Sequence, residues 1–93
     1  MDKSLSTIGL AYRAGKIVLG EEVLNQISKI KLLIIASDIS MKSRERFLKK
    51  CNFYNIEYID SFNCEELSKT LGKNTIKVIG ITDVGFKKAI LNK

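Results

Sequence analysis

Two kinds of apolar pattern alternate along this chain, one typical of helices and the other of strands. Helical spacing from Leu5 to Tyr12 predicts a first helix, with Asp2 or Ser4 as its N-cap and Gly15 at its end. The run from Leu32 to Ala36 is continuously apolar and short, which is typical of a strand covered on both faces. The first half of the chain therefore predicts helix followed by buried strand.

The rest of the chain follows the same two periodicities. A long helix from Met41 to about Tyr54 should bury Phe47, Leu48, Cys51 and Tyr54. Strands separated by helices of this length imply crossover connections, so we predict an α/β domain with helices on both faces of one sheet. The other predicted elements are a strand around Ile17 and Val18, a helix of about two turns over 21–28, a strand over 57–60 near a sheet edge, a helix over 64–71 between an Asn63 cap and Gly72, a strand over 76–82, and a last helix from an Asp83 cap to near Leu91.

The length and composition allow one domain, 1–93, because 93 residues without proline or a linker-like stretch hold a single core. The longest apolar run is far below the roughly 18 residues needed to cross a bilayer, and MDKSLS lacks the features of a signal peptide. We therefore expect a cytoplasmic protein with no membrane partner. In a reducing compartment Cys51 and Cys64 are expected to be buried thiols.

The charge favours an anionic partner. Sixteen Lys and Arg against ten Asp and Glu give a net charge of +6. Residues 1–50 carry ten basic and five acidic residues, whereas residues 51–93 carry six and five, so most of the surplus lies in the first half. A charged surface that serves solubility alone remains the alternative. For the outer face of the long helix, with Lys42, Arg46, Lys49 and Lys50, that alternative is the favoured one.

Several kinds of chemistry lack their usual residues. The chain has no histidine, and two cysteines thirteen residues apart do not make a structural zinc site. Neither GxxxxGK[ST] nor GxGxxG occurs, so no metal, cofactor or small-molecule substrate is predicted. An acid or base role stays open for Asp38, Glu21 and Glu22, although helix capping accounts for all three. We therefore predict a non-enzymatic protein.

The stretch IGLAYRAGKIVLGEE, from Ile8 to Glu22, is the most informative part of the chain. It contains an apolar helical run, a basic turn, a short strand, and a glycine that opens a second helix with two acids near the positive end of its dipole. The runs GLAYRAGK, LGEE and TDVGF resemble the bacterial YlxQ-like family, within the kink-turn RNA-binding superfamily of archaeal ribosomal protein L7Ae and eukaryotic L30e. This resemblance spans nearly the whole chain and implies a three-layer α/β/α sandwich on a four-stranded mixed sheet.

The resemblance also implies an RNA site at the second helix. In relatives that bind kink-turn RNA, a G-x-N-E-x-x-K motif enters the groove beside sheared G·A pairs. Gly20 matches its glycine, whereas Glu22, Val23 and Gln26 stand at the Asn, Glu and Lys positions. Exposed helix-end amides suit phosphate, and a carboxylate can accept hydrogen bonds from a guanine edge. We expect modest base reading from Glu22, Asn25 or Gln26.

Two further loops are implied as RNA contacts. One follows the second strand, here Ser37 to Ser40, and the other precedes the last strand. The loop before the last strand follows the run LSKTLGK, in which Ser68 stands at a position that is usually glycine. The polar and basic residues of this loop favour phosphate contact over base stacking. The predicted RNA-binding residues are Arg13, Lys16, Gly20, Glu21, Glu22, Asn25, Gln26, Ser40, Lys42, Arg44, Lys73, Asn74 and Thr75.

The favoured hypothesis is a monomeric RNA-binding protein of the translation or ribosome context that recognises kink-turn-like or other structured RNA, ribosomal RNA included. Lys16 and Lys73 are expected to form part of a positively charged rim around Gly20. If about four phosphates are neutralised, log affinity should fall with log salt with a slope of roughly −3 to −4. The competing hypothesis is a protein-interaction module that docks on a ribosome or translation component through an exposed apolar patch.

Overall fold

A computed structural model describes residues 3–91, in which strands and helices alternate in the predicted order. Of the two predicted N-caps of the first helix, Asp2 lies outside the described residues. Ser4 lies inside the helix, and its hydroxyl donates to the Ile90 carbonyl oxygen at 3.2 Å. The elements are α1 (Lys3–Arg13), β1 (Ile17–Leu19), α2 (Glu22–Asn25), a 3₁₀ segment (Ile27–Lys29), β2 (Leu32–Ile35), α3 (Met41–Tyr54), β3 (Glu57–Ile59), α4 (Cys64–Leu71), β4 (Val78–Ile81) and α5 (Val84–Leu91).

The four strands form one mixed sheet in the order β1-β4-β2-β3. β4 runs antiparallel to β1 and β2, while β2 and β3 are parallel, with Leu33 opposite both Gly80 and Tyr58. One apolar cluster joins the sheet to α1, α4 and α5, and a second joins it to α2, the 3₁₀ segment and α3. The predicted three-layer α/β/α sandwich with a four-stranded mixed sheet is therefore confirmed.

The strand directions define two ends of the sheet. At the upper end, the chain leaves β1, β2 and β3 and enters β4. At the lower end, the chain enters β1, β2 and β3 and leaves β4. The residues next to the strands at the upper end are Gly20, Ala36, Asp60 and Lys77, and those at the lower end are Lys16, Lys31, Ile56 and Thr82.

A close contact on the sheet fixes the position of the 22–30 segment. Gly80 lies in β4, and a Cβ added there would be 2.5 Å from Ile30 Cδ1 and 3.2 Å from Val23 Cγ2. Val23 and Ile30 are both buried. The segment that carries α2 therefore packs on the strand only because residue 80 has no side chain.

The predicted two-turn helix over 21–28 is wrong. α2 has four residues and ends before Gln26, whose φ of −113° and ψ of 27° are not helical. The 3₁₀ segment that follows, together with the residue at its C-terminal end, brings both Ile27 and Ile30 into the core.

Two features of α3 and β4 also differ from the prediction. Tyr54 is 43% exposed, because the chain leaves the helix at Asn55, with φ of 55°, and Ile56 packs against the core instead. β4 begins at Val78, two residues later than predicted, since the backbone N–H of Ile76 donates to Ser68 Oγ at 2.9 Å.

The longest helix within residues 3–91 is α3, with 14 residues, and no helix there could cross a bilayer.

Both cysteines are free thiols. Cys51 is buried, as predicted, and its burial raises the pKa of the thiol from 9.0 to about 11. Cys64, at the start of α4, is only half-buried. The two thiols therefore differ in how readily a reagent can reach them.

Candidate nucleic-acid interface

The upper end of the sheet carries a cleft of about 350 Å³ between the turn that opens α2 and the segment that enters β4. The two walls are joined where the Gly20 N–H donates to the Val78 carbonyl oxygen at 3.0 Å. The polar lining of the cleft is Gly20, Glu21, Ser43, Thr75 and Lys77, and the apolar lining of the cleft is Leu19, Ile39, Phe47, Ile76 and Val78.

The backbone conformation at position 20 favours glycine. Its φ is +57°, in the left-handed region that favours glycine, and a Cβ there would meet nothing within 4 Å. The surface at this turn is therefore open to a ligand.

The end of α2 offers fewer free amides than the sequence predicts. The N–H groups of Val23 and Leu24 donate to the carbonyl oxygens of Gly20 and Glu21, both at 3.0 Å. A helix of four residues also sums few peptide dipoles. This helix end therefore offers a ligand its side chains more than its backbone amides.

The three predicted base-reading side chains lie together. Glu22 accepts hydrogen bonds from Asn25 Nδ2 at 3.5 Å and from Gln26 Nε2 at 3.4 Å. These contacts are long and exposed, so a ligand can replace them at little cost. Val23, at the Glu position of the family motif, is fully buried and cannot reach a ligand.

The predicted positively charged rim, with Lys16 and Lys73 around Gly20, is not what the structure places there. Lys16 lies at the other end of β1, about 13 Å away for four residues of extended strand. Lys73 is placed over Tyr12 of α1, with Nζ 5.8 Å from the ring centroid. Arg46 forms an ion pair with Glu21 beside the glycine, so the charge around the turn is mixed.

The other predicted residues are divided between several places. Ser40 is the N-cap of α3, where its Oγ accepts from Ser43 N at 3.2 Å, and the exposed Lys42 follows it at the upper end. Arg44 pairs with Asp60, and this contact raises the pKa of the guanidinium. Arg13 is exposed where α1 ends, and Asn74 is exposed in the loop that leads to Thr75.

Side-chain bonds to the backbone hold the loops of the upper end. Asp38 Oδ1 accepts a hydrogen bond from the Cys64 N–H at 2.9 Å and so satisfies a backbone amide at the start of α4. Ser68, which stands at a family glycine position, accepts from the Ile76 N–H and ties the loop that ends at Lys77. These bonds keep the cleft walls in place without a ligand.

Sequence reasoning missed Lys77 and Arg46. Lys77 was predicted as a strand residue, and only the antiparallel direction of β4 brings it to the same end of the sheet as Gly20. Arg46 was assigned to the solvated face of α3, and its pairing with Glu21 needs the packing of two helices. Neither position carries a local signal that could have identified it.

The profile of the ribosomal protein L7Ae/L30e/S12e/Gadd45 family matches residues 2–91. The chain belongs to this family. It is 35% identical over 89 residues to the RNA-binding protein YlxQ of Enterococcus faecium, covering 92% of this chain and 85% of that protein. It is 32% identical over 88 residues to the RNA-binding protein YlxQ of Bacillus subtilis (strain 168), covering 91% and 88%. The resemblance inferred from the sequence is therefore confirmed.

Solved structures share the family fold. A protein with unknown function from Bacillus halodurans C superposes with a TM-score of 0.91 at 33% identity, over 97% of this chain and 94% of that one. The Giardia lamblia 15.5kD RNA binding protein superposes with a TM-score of 0.78 over 95% and 78%. At 19% identity, this second likeness shows the fold alone.

Proposed function

We propose that this chain is a non-enzymatic RNA-binding protein that receives kink-turn-like or other structured RNA at its upper cleft, in the context of translation. The observation that carries the proposal is the cleft itself. It joins the Gly20 turn to the segment at Thr75 and Lys77, and these belong to two of the three regions that the family resemblance implies as RNA contacts. Membership of the family and the names of the two curated relatives support it.

The side chains in and beside the cleft have different roles in RNA recognition. Glu22 exchanges its contacts with Asn25 and Gln26 for the N1–H and N2–H donors of a guanine exposed by a widened groove. Lys42 and Lys77 meet phosphates, because both are exposed at the upper end and neither has an acidic partner within 4 Å among residues 3–91. Two phosphate contacts correspond to a salt slope of about −2 rather than the −3 to −4 expected from the sequence.

The test compares a kink-turn RNA with a plain duplex of the same length by fluorescence anisotropy at several salt concentrations. Lys77→Glu should weaken binding of the kinked RNA and reduce its salt slope by about one. Lys3→Glu is the matched control, because Lys3 is exposed on α1, in the opposite helical layer, and the substitution changes the net charge equally.

Three results would count against the proposal. Equal affinity for the two RNAs would reduce it to generic polyanion binding. Equal losses in Lys77→Glu and Lys3→Glu would remove the upper cleft from the interface. Failure of the wild-type protein to bind either RNA would favour the protein-interaction module instead.

A further inference from the structure

A second groove lies at the lower end of the sheet, on the same face as α3. Its volume is about 330 Å³, and it separates the segment that enters β2 from the C-terminal end of α3. Ile27, Ile30 and Ile56 supply its apolar lining. Its polar lining is Ser28, Lys31, Tyr54, Asn55 and Lys87.

The groove presents an aromatic ring to solvent. Tyr54 lines it and is 43% exposed. The neighbouring Phe53 is 77% exposed and packs edge-on against Tyr54, with ring centroids 5.0 Å apart. Each ring thus limits the motion of the other, and an exposed, positioned ring is the element on which unpaired bases stack in single-strand-binding proteins.

The lower end is also the more cationic end. Arg13, Lys16, Lys29 and Lys31 are exposed there, on the segments that enter β1 and β2, and none has an acidic partner within 4 Å among residues 3–91. At the upper end, by contrast, Arg44 and Arg46 are paired with acids.

Two acids near the lower end are already engaged. Glu57 Oε1 lies 2.9 Å from Lys87 Nζ, and Asp83 Oδ2 accepts from the Phe86 N–H at 3.0 Å. On α3, Lys49 and Lys50 precede the two aromatic residues by one helical turn and extend the positive surface along the helix. A polyanion in the groove therefore meets Lys31 on the wall formed by the segment that enters β2, and Lys50 beside the wall formed by α3.

We propose that the lower groove binds an unpaired nucleotide of a single-stranded RNA segment, so that the protein holds RNA at both ends of its sheet. The base stacks on Tyr54, the Asn55 amide and the Ser28 hydroxyl meet its polar edge, and Lys31 contacts the adjoining phosphate. A duplex does not fit this description, because its base faces are covered. The inference rests on the proposed function in its ligand class, RNA, but requires a different surface.

The probe is a fluorescein-labelled decauridylate, which has no stable secondary structure, titrated in fluorescence anisotropy. Tyr54→Leu keeps an apolar side chain and removes the ring, and it should weaken binding about tenfold. Tyr54→Phe keeps the ring and should restore binding to within about twofold of the wild type. Lys31→Glu should lower the salt slope by about 0.7, the value for one phosphate of a single strand, whereas Lys3→Glu should leave it unchanged.

The two proposals fail in different ways. If Tyr54→Leu binds decauridylate as tightly as the wild type while Lys77→Glu still weakens kink-turn binding, the lower groove is not an RNA site. If decauridylate binding requires Tyr54 but Lys77→Glu leaves kink-turn binding unchanged, the proposal for the lower groove is supported and the proposal for the upper cleft is wrong. A wild-type protein that does not bind decauridylate overturns this inference outright.

Discussion

The contact between Gly80 and the 22–30 segment leads to a quantitative prediction for Gly80→Ala. The new Cβ would lie 2.5 Å from Ile30 Cδ1 and 3.2 Å from Val23 Cγ2, so both side chains have to move. Overpacking of this kind costs about 1–3 kcal/mol. The lower backbone entropy of alanine in the unfolded chain returns about 0.5 kcal/mol. We therefore expect the free energy of unfolding to fall by about 0.5–2.5 kcal/mol, and the melting temperature by about 4–8 °C per kcal/mol.

A double-mutant cycle identifies the atoms responsible. Ile30→Val removes the Cδ1 atom that makes the shortest contact, and alone it should cost about 0.5–1.5 kcal/mol. In the Gly80→Ala background the same change relieves the overlap, so its cost should shrink by at least about 0.5 kcal/mol or become a gain. Urea denaturation followed by circular dichroism measures all four corners of the cycle.

The perturbation should also be visible locally. Amide resonances of residues 22–30 should shift most in Gly80→Ala, because this segment packs on β4 at that position. Unchanged stability, or an Ile30→Val penalty that is the same in both backgrounds, would show that residue 80 does not determine how α2 packs. The position assigned to Glu22 at the upper cleft would then need another cause.

Two further predictions concern single residues. Gly20→Ala should lose about 1–2 kcal/mol in urea denaturation because φ is +57°, and Gly20→Asn should lose less, since asparagine tolerates this conformation; equal losses would contradict the argument. Cys51 has a folded-state pKa of about 11 against an ordinary 9.0, so above pH 9 the unfolded state releases its proton first. Stability from this group is therefore complete below pH 9 and is lost as the pH rises towards 11. Between pH 8 and pH 10.5, the urea midpoint should fall further in the wild type than in Cys51→Ala. The same fall in both proteins would refute the assignment of this pH dependence to Cys51.

Local signals in the sequence predicted much of the fold. α3 and α4 have the predicted bounds, because Ser40 and Asn63 cap them through hydrogen bonds that span three residues. Asn63 forms a complete capping box with Glu66, and α4 ends at Gly72 with φ of +66°. Such boundaries depend only on neighbouring residues, so a single sequence contains the information needed to predict them.

The predictions that failed depend on residues far apart in the chain. α2 is short because its segment must fit against Gly80, more than fifty residues away in sequence. Tyr54 was assigned to the core by its helical spacing, but Ile56 takes that place once the chain turns at Asn55. Periodicity describes one element at a time and carries no information about which neighbour competes for the same space.

For this protein, the sequence alone determined the order of the strands and main helices, the caps of α3 and α4, the positive charge and the family. The tertiary structure decided which charged side chains share a surface. Because β4 runs antiparallel to its neighbours, Lys77 lies beside Gly20, whereas Lys16 lies about 13 Å away at the other end of β1. Strand direction is a property of the assembled sheet, and it divides the cations between the two proposed RNA surfaces.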